Sequence, residues 1–90
     1  MTLNLSKSEI FEIVRDIIAE ELDIAMPRID AEVSITEICD EREIDLPVII
    51  YEIEREFGVD ISDSEMEFLE TVDELVNLIE EKIIGNRESI

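Results

Sequence analysis

The segment Ile38–Gly58, ICDEREIDLPVIIYEIEREFG, starts as a polar loop and becomes an amphipathic helix. Asp45 is a good N-cap and Pro47 suits a first helical turn, where a missing N–H costs no hydrogen bond. Leu46, Ile49, Ile50, Ile53 and Phe57 then recur at helical spacing and form one apolar stripe. Gly58 stands where a left-handed stop belongs. At the seam between loop and helix lie Arg42, Glu43 and Ile44, so a charged residue occupies a loop-to-helix boundary where a nucleophile could have stood.

Working outward, Ser6 and Glu9 have the spacing of a capping box ahead of an apolar-periodic run. Ile10, Val14, Ile17, Ile18 and Leu22, widened by Phe11 and Ile13, predict a helix over about 7–22. Glu12, Asp16, Glu20 and Glu21 face outward between them. From Asp23 to about Glu43 the period breaks at Pro27, and Ile24, Ile29, Val33, Ile35 and Ile38 read as anchors of a long, packed-down loop. Downstream, Ser62 with Glu65 predicts one short helix. Thr71 with Glu74 opens another, whose stripe is Val72, Leu75, Val76, Ile79 and Ile83. Gly85 and Asn86 are expected to end it, leaving 85–90 as a frayed tail. The expectation is a single domain over 1–90 with its core at about 7–84: all-α, a four-helix bundle of three main helices and one short one, with a long structured loop after the first.

The chain has 90 residues, 46 % of them hydrophobic, which supports a globular core and argues against disorder. Seven Lys and Arg against 26 Asp and Glu give a net charge of −19. Such a field repels nucleic acid and anionic lipid and steers the protein toward basic protein surfaces. No apolar run approaches the ~20 residues of a membrane span, and the start, MTLNLSKSEI, has no secretory pattern. With a single cysteine, Cys39, no internal disulfide can form, so a cytoplasmic location is expected. Without His there is no imidazole base or ligand, and a lone Cys without one is a poor nucleophile, so no catalytic residues are assigned and no enzyme is expected. Asp60, Asp63 and Glu65 lack the spacing of a calcium loop, and no metal site is assigned.

Taken together the chain resembles an acyl carrier protein, without a gap from about Glu9 to Ile83. EIVRDIIAEELDI (12–24) is similar to that family's first helix and DIAMPRIDAEVSI (23–35) to its long first loop. IEREFGVDIS (53–62) resembles the end of its second helix, and TVDELVNLI (71–79) its last helix. The family's function rests on an Asp-Ser-Leu motif at the start of the second helix, where the serine carries the phosphopantetheine arm. Counting back in register from Phe57, that motif falls on Arg42, Glu43 and Ile44, and the glycine that usually precedes it falls on Asp40. Glu43 therefore takes the serine's place. A carboxylate cannot form the arm's stable phosphodiester, and its charge repels the incoming phosphate, so no phosphopantetheine is expected.

Two functions follow from the resemblance. In the first, the protein is a carrier-like module that docks on a basic partner, such as an acyl-transfer or lipid-metabolism enzyme, without carrying the arm. In the second, it is a genuine carrier in fatty-acid, polyketide or related acyl transfer, with an unconventional attachment site among Ser6, Ser8, Ser34, Ser62, Ser64 and Ser89. The family docks through its second helix, so the resemblance points to Asp45, Glu54 and Glu56, joined by Glu52 and by the less polar Pro47, Val48 and Tyr51, with Arg55 interrupting the acidic run. Self-association through this patch would work against the charge. Glu43 itself reads either as a mimic of the arm's phosphate or as an acid placed favourably near a helix N-terminus. Cys39 takes a leucine-like position and reads as a small buried hydrophobe.

Overall fold

Serine and threonine caps begin most of the helices. The computed structural model describes residues 5–88, with side chains described for 5–85. Helix α1, Lys7–Leu22, opens on a complete capping box. Ser6 Oγ accepts from Glu9 N (3.2 Å), and Glu9 Oε1 accepts from Ser6 N (2.9 Å). Those bonds to the charged form hold the Glu9 carboxyl below the usual carboxylate range. Ile10, Val14, Ile18 and Leu22 are buried, while Phe11, Ile13 and Ile17 lie at the edge of the core. The helix ends at Asp23 in a left-handed conformation, which a short polar side chain tolerates.

The long connection carries more structure than its broken period suggests. A 3₁₀ turn, Met26–Arg28, forms around Pro27, and a further helix, α2, spans Ile35–Glu41. The segment expected to be one long, packed-down loop thus contains a helix of its own. Ser34 caps α2 by accepting from Glu37 N (3.3 Å), and Ile35 and Cys39 are buried one turn apart. The same S-x-x-E spacing that marks Ser6 and Ser62 was present at Ser34, but Pro27 and the short apolar run obscured it.

Helix α3, Leu46–Phe57, buries Ile49, Ile50, Ile53 and Phe57 and stops at Gly58, whose φ of 66° is the left-handed conformation glycine adopts freely. Helix α4, Asp63–Glu67, has the reciprocal Ser62–Glu65 box. Helix α5, Val72–Glu88, starts on Thr71, whose Oγ1 accepts from Glu74 N (3.2 Å). Val72, Leu75, Val76, Ile79 and Ile83 are all buried. The helix runs on through Gly85 and Asn86 to Glu88, contrary to the expected stop, because a lone glycine costs only about 1 kcal/mol inside a helix. Residues 89–90 lie outside the described residues.

Among the described residues the core is wholly apolar, with no buried polar or charged residue. Each fully buried Ile or Leu contributes about 1.5–3 kcal/mol. The long connection is stitched to α5 by backbone bonds, Asp73 N to Ala31 O (2.9 Å), Val72 N to Val33 O (3.0 Å) and Ile35 N to Glu70 O (2.9 Å). Two of these satisfy N–H groups at the start of α5 that have no partner within the helix. The described residues form the all-α bundle expected, with five α-helices among them rather than four.

Candidate functional site

The seam between α2 and α3 is a compact double turn. Arg42 N donates to Ile38 O (3.3 Å) and Cys39 O (3.2 Å) as α2 ends. Glu43 follows with φ of 56°, its N–H bonded to Asp40 O (3.1 Å), while Ile44 N reaches back to Cys39 O (3.0 Å). This pair of bonds is a Schellman cap, and Glu43 occupies the left-handed position that usually belongs to glycine. Ile44 packs against the core and pins the turn. The Glu43 side chain is exposed.

Glu43 is consequently not in the first turn of the following helix. Asp45 is the N-cap of α3, so Glu43 lies two residues outside it and just past the C-terminal end of α2. The expectation that a helix N-terminal dipole stabilises its charge is corrected: the effect fades within one turn, and the helix end adjoining Glu43 carries the opposite sign. Asp45 has the extended backbone of an N-cap, but its side chain accepts no hydrogen bond from the helix. Arg42 is exposed beside Glu43, with no ion pair among the described residues.

Hydroxyls elsewhere are mostly committed. Ser6, Ser34 and Ser62 each use Oγ to cap their own helix, and Ser34 Oγ also lies 3.2 Å from Thr36 Oγ1. Ser8 and Ser64 are exposed on α1 and α4. Ser89 lies outside the described residues. The Cys39 thiol is buried, and burial, followed by the charges of Asp40 and Asp45, pushes its pKa up. A protonated, inaccessible thiol is a poor nucleophile.

On the outer face of α3, Val48 and Tyr51 are 46 % and 58 % exposed, one turn apart. The Arg55 guanidinium sits 5.7 Å from the centre of the Tyr51 ring, so the residue that interrupts the acidic run also covers its aromatic neighbour. Asp45, Pro47 and Glu56 are exposed and Glu52 is half-exposed. Glu54 is different. Its Oε2 accepts from Ile61 N (2.8 Å), which ties the connection after α3 back onto the helix. An apolar groove of about 310 Å³, lined by Leu46, Pro47, Met66 and Leu69 among others, adjoins Pro47. Phe68, 80 % exposed at the end of α4, was not singled out in the sequence. Its apolar neighbours Met66 and Leu69 pack on the core, whereas Phe68, at the C-cap of the short helix, does not.

Known proteins give the helices a family. No family model matches the chain. The chain is 35 % identical over 79 residues to the acyl carrier protein of Petrotoga mobilis, covering 88 % of this chain and 93 % of that one. It is 34 % identical over 79 residues to the acyl carrier protein of Thermosynechococcus vestitus, covering 88 % and 98 %. Identity to that of Thermotoga maritima is 32 % over 78 residues, covering 87 % and 96 %. Similarity of this extent, over nearly the whole of each relative and on an all-helical bundle, is not the product of shared amphipathic helices alone. This chain belongs to the acyl carrier protein family.

Proposed function

We propose that this member of the family is a docking module that carries no phosphopantetheine. Its partner is a protein with a basic surface, an acyl-transfer or lipid-metabolism enzyme, met through the outer face of α3. Glu43 is the observation that carries this. The residue in register with the attachment serine is an exposed carboxylate in a left-handed turn, and it offers no alcohol to the pyrophosphate of coenzyme A. Support for docking comes from the exposed Val48 and Tyr51, framed by Asp45, Pro47, Glu52 and Glu56, in a chain of net charge −19. Glu54 contributes by holding the end of that helix in place. The module itself catalyses nothing.

The test is intact mass after incubation with coenzyme A and a broad-specificity phosphopantetheinyl transferase. The native chain is expected to keep its mass, and Glu43→Ser to gain one arm in at least part of the sample. A gain by the native chain, on any residue, makes it a carrier with an unconventional attachment site and overturns the proposal. Complete inertness of a folded variant carrying both Glu43→Ser and Arg42→Asp, which restores both motif residues, removes the register on which the site rests. In a complex with the partner, Val48→Ala and Tyr51→Ala are expected to weaken binding while changing unfolding stability by no more than about 0.5 kcal/mol.

A further inference from the structure

A second surface lies between α1 and α3. A trough of about 490 Å³ runs there, lined by Ile13, Ile17 and Met26 together with Glu12, Asp16, Glu20, Glu52 and Glu56. On α1 the acids recur every four residues, so they form one row, slightly inclined to the helix axis, that rises about 12 Å along it. Glu52 and Glu56, also four apart, supply the facing row from α3. Ile13 and Ile17 are half-buried, as is Met26, which gives the trough an apolar floor open to water.

Among the described residues no Lys or Arg lines the trough. Arg15 pairs with Glu12 at 3.7 Å from the next face of α1, where its guanidinium stacks 5.3 Å from the centre of the Phe11 ring. Asp16, Glu20, Glu52 and Glu56 have no ion-pair partner among the described residues. Like charges four apart on a helix repel, and neither helix relieves the repulsion with a base inside the groove. Lys7 and Lys82 are used instead on α5 and α4, against Asp73 (3.1 Å) and Glu65 (3.0 Å).

The geometry points to a docking site for a basic amphipathic helix of a partner protein. The apolar stripe of such a helix, at i, i+3 and i+4, covers Ile13, Ile17 and Met26. Lys and Arg on either flank of the stripe reach the two acidic rows, which are spaced like successive turns of the incoming helix. A second copy of this chain does not meet the requirement, because it brings the same net charge of −19. The trough adjoins the outer face of α3 and shares Glu52 and Glu56 with it, but its apolar floor is a different one, since neither Val48 nor Tyr51 lines it. The inference goes beyond the proposed function and stands whether or not the chain carries an arm.

The probe is a Lys/Leu amphipathic peptide of about 15 residues, long enough for helix to form on binding. A scrambled peptide of equal composition but no helical periodicity serves as its partner control. Binding is followed by amide chemical shifts of the intact protein at about 0.15 M salt, where diffuse attraction is screened. The amphipathic peptide is expected to shift amides around Ile13, Ile17 and Met26 and to bind more tightly than the scramble. Asp16→Asn with Glu20→Gln is expected to weaken it by about three- to tenfold, as two exposed charge pairs allow. Glu21→Gln with Asp60→Asn removes the same charge from exposed positions outside the trough and is expected to change affinity by less than about twofold. Equal losses from the two pairs of substitutions, equal binding of the scramble, or shifts centred on Val48 and Tyr51 would each overturn the assignment. None of these outcomes bears on the mass of the chain after treatment with coenzyme A, so this inference and the proposed function fail separately.

Discussion

Two stretches of this molecule lead out of one helix and into another, Cys39–Leu46 directly and Gly58–Glu74 by way of α4, and they are held differently. From Gly58 to Glu74 every local rule is kept. Glycine takes the left-handed stop, Ser62 and Thr71 accept from the helices they open, and Glu65 and Glu74 return the bond. From Cys39 to Leu46 the backbone makes equally definite turns with residues poorly suited to them. A glutamate sits in the left-handed position, and the aspartate at the N-cap of α3 makes no capping bond. Tertiary packing of Cys39 and Ile44 holds the second passage where local chemistry holds the first. Rule-breaking of this kind concentrates at functional sites, and here it falls on the residue that the proposed function sets in register with the family's attachment serine.

The largest test of that contrast is in the core. If α2 is held by packing, Ile35→Ala should cost about 2–5 kcal/mol, as much as Ile79→Ala in α5, since both side chains are fully buried. Urea unfolding of the two variants measures this. A cost for Ile35→Ala below about 1 kcal/mol, with Ile79→Ala behaving as expected, would show that α2 is not docked and that the seam is free to rearrange.

Caps give the next largest effect. Ser62→Ala removes an acceptor in use and should destabilise by about 1 kcal/mol, whereas Asp45→Ala removes a side chain that caps nothing and should cost less than about 0.5 kcal/mol. Equal costs would mean that Asp45 caps α3 in solution after all, and the contrast between the two passages would narrow.

Much of the fold could be foreseen from residues. The stripes of α1, α3 and α5 are periodic over three turns or more and have caps that announce them, so their existence and faces followed from the period alone. α2 did not, because seven residues give the period too little length to show and Pro27 draws attention to a loop. The extension of α5 past Gly85 was hidden for the opposite reason: a stop signal was present and the helix ignored it. At the candidate site, the register from Phe57 pointed to Glu43, but the conformation of that residue depends on a Schellman cap belonging to a helix that was not foreseen. The trough between α1 and α3 was half visible. Its α1 row is written in the spacing of Glu12, Asp16 and Glu20, whereas the facing row depends on how α3 packs, which no single helix specifies.

Glu43→Gly reverses the usual sign of a substitution. A side chain in the left-handed region costs about 1–2 kcal/mol, and glycine avoids that at an entropic cost of about 0.5–1 kcal/mol in the unfolded chain. Net stabilisation by about 0.5–1 kcal/mol is expected, visible as a higher urea midpoint with an unchanged slope. Gly58→Ala in the well-formed passage should do the reverse, since φ there is 66° with open space around the site. A destabilised Glu43→Gly variant would show that the Glu43 side chain makes a favourable interaction that outweighs its backbone strain.

The smallest expected effect separates charge from hydrogen bonding in the kept passage. Glu65 accepts from Ser62 N (2.9 Å) and pairs with Lys82 (3.0 Å), which ties α4 to α5. The bond from Ser62, then that from Lys82, lowers its pKa below the ordinary value of 4.5. With the folded value depressed, the stability this carboxylate contributes is complete above the unfolded pKa and is lost as pH falls through the folded one. Glu65→Gln keeps the capping bond, because glutamine serves equally at that position of the box, and removes only the charge. The difference in stability between the native chain and Glu65→Gln should therefore be greatest near neutral pH and should shrink as pH is taken below 4.5. Relief of repulsion among the remaining acids is common to both proteins and largely cancels in the difference. A difference that stays constant down to strongly acid pH would mean that neither the Ser62 N–H nor Lys82 favours the charged form of Glu65 in solution, and that packing rather than charge joins α4 to α5.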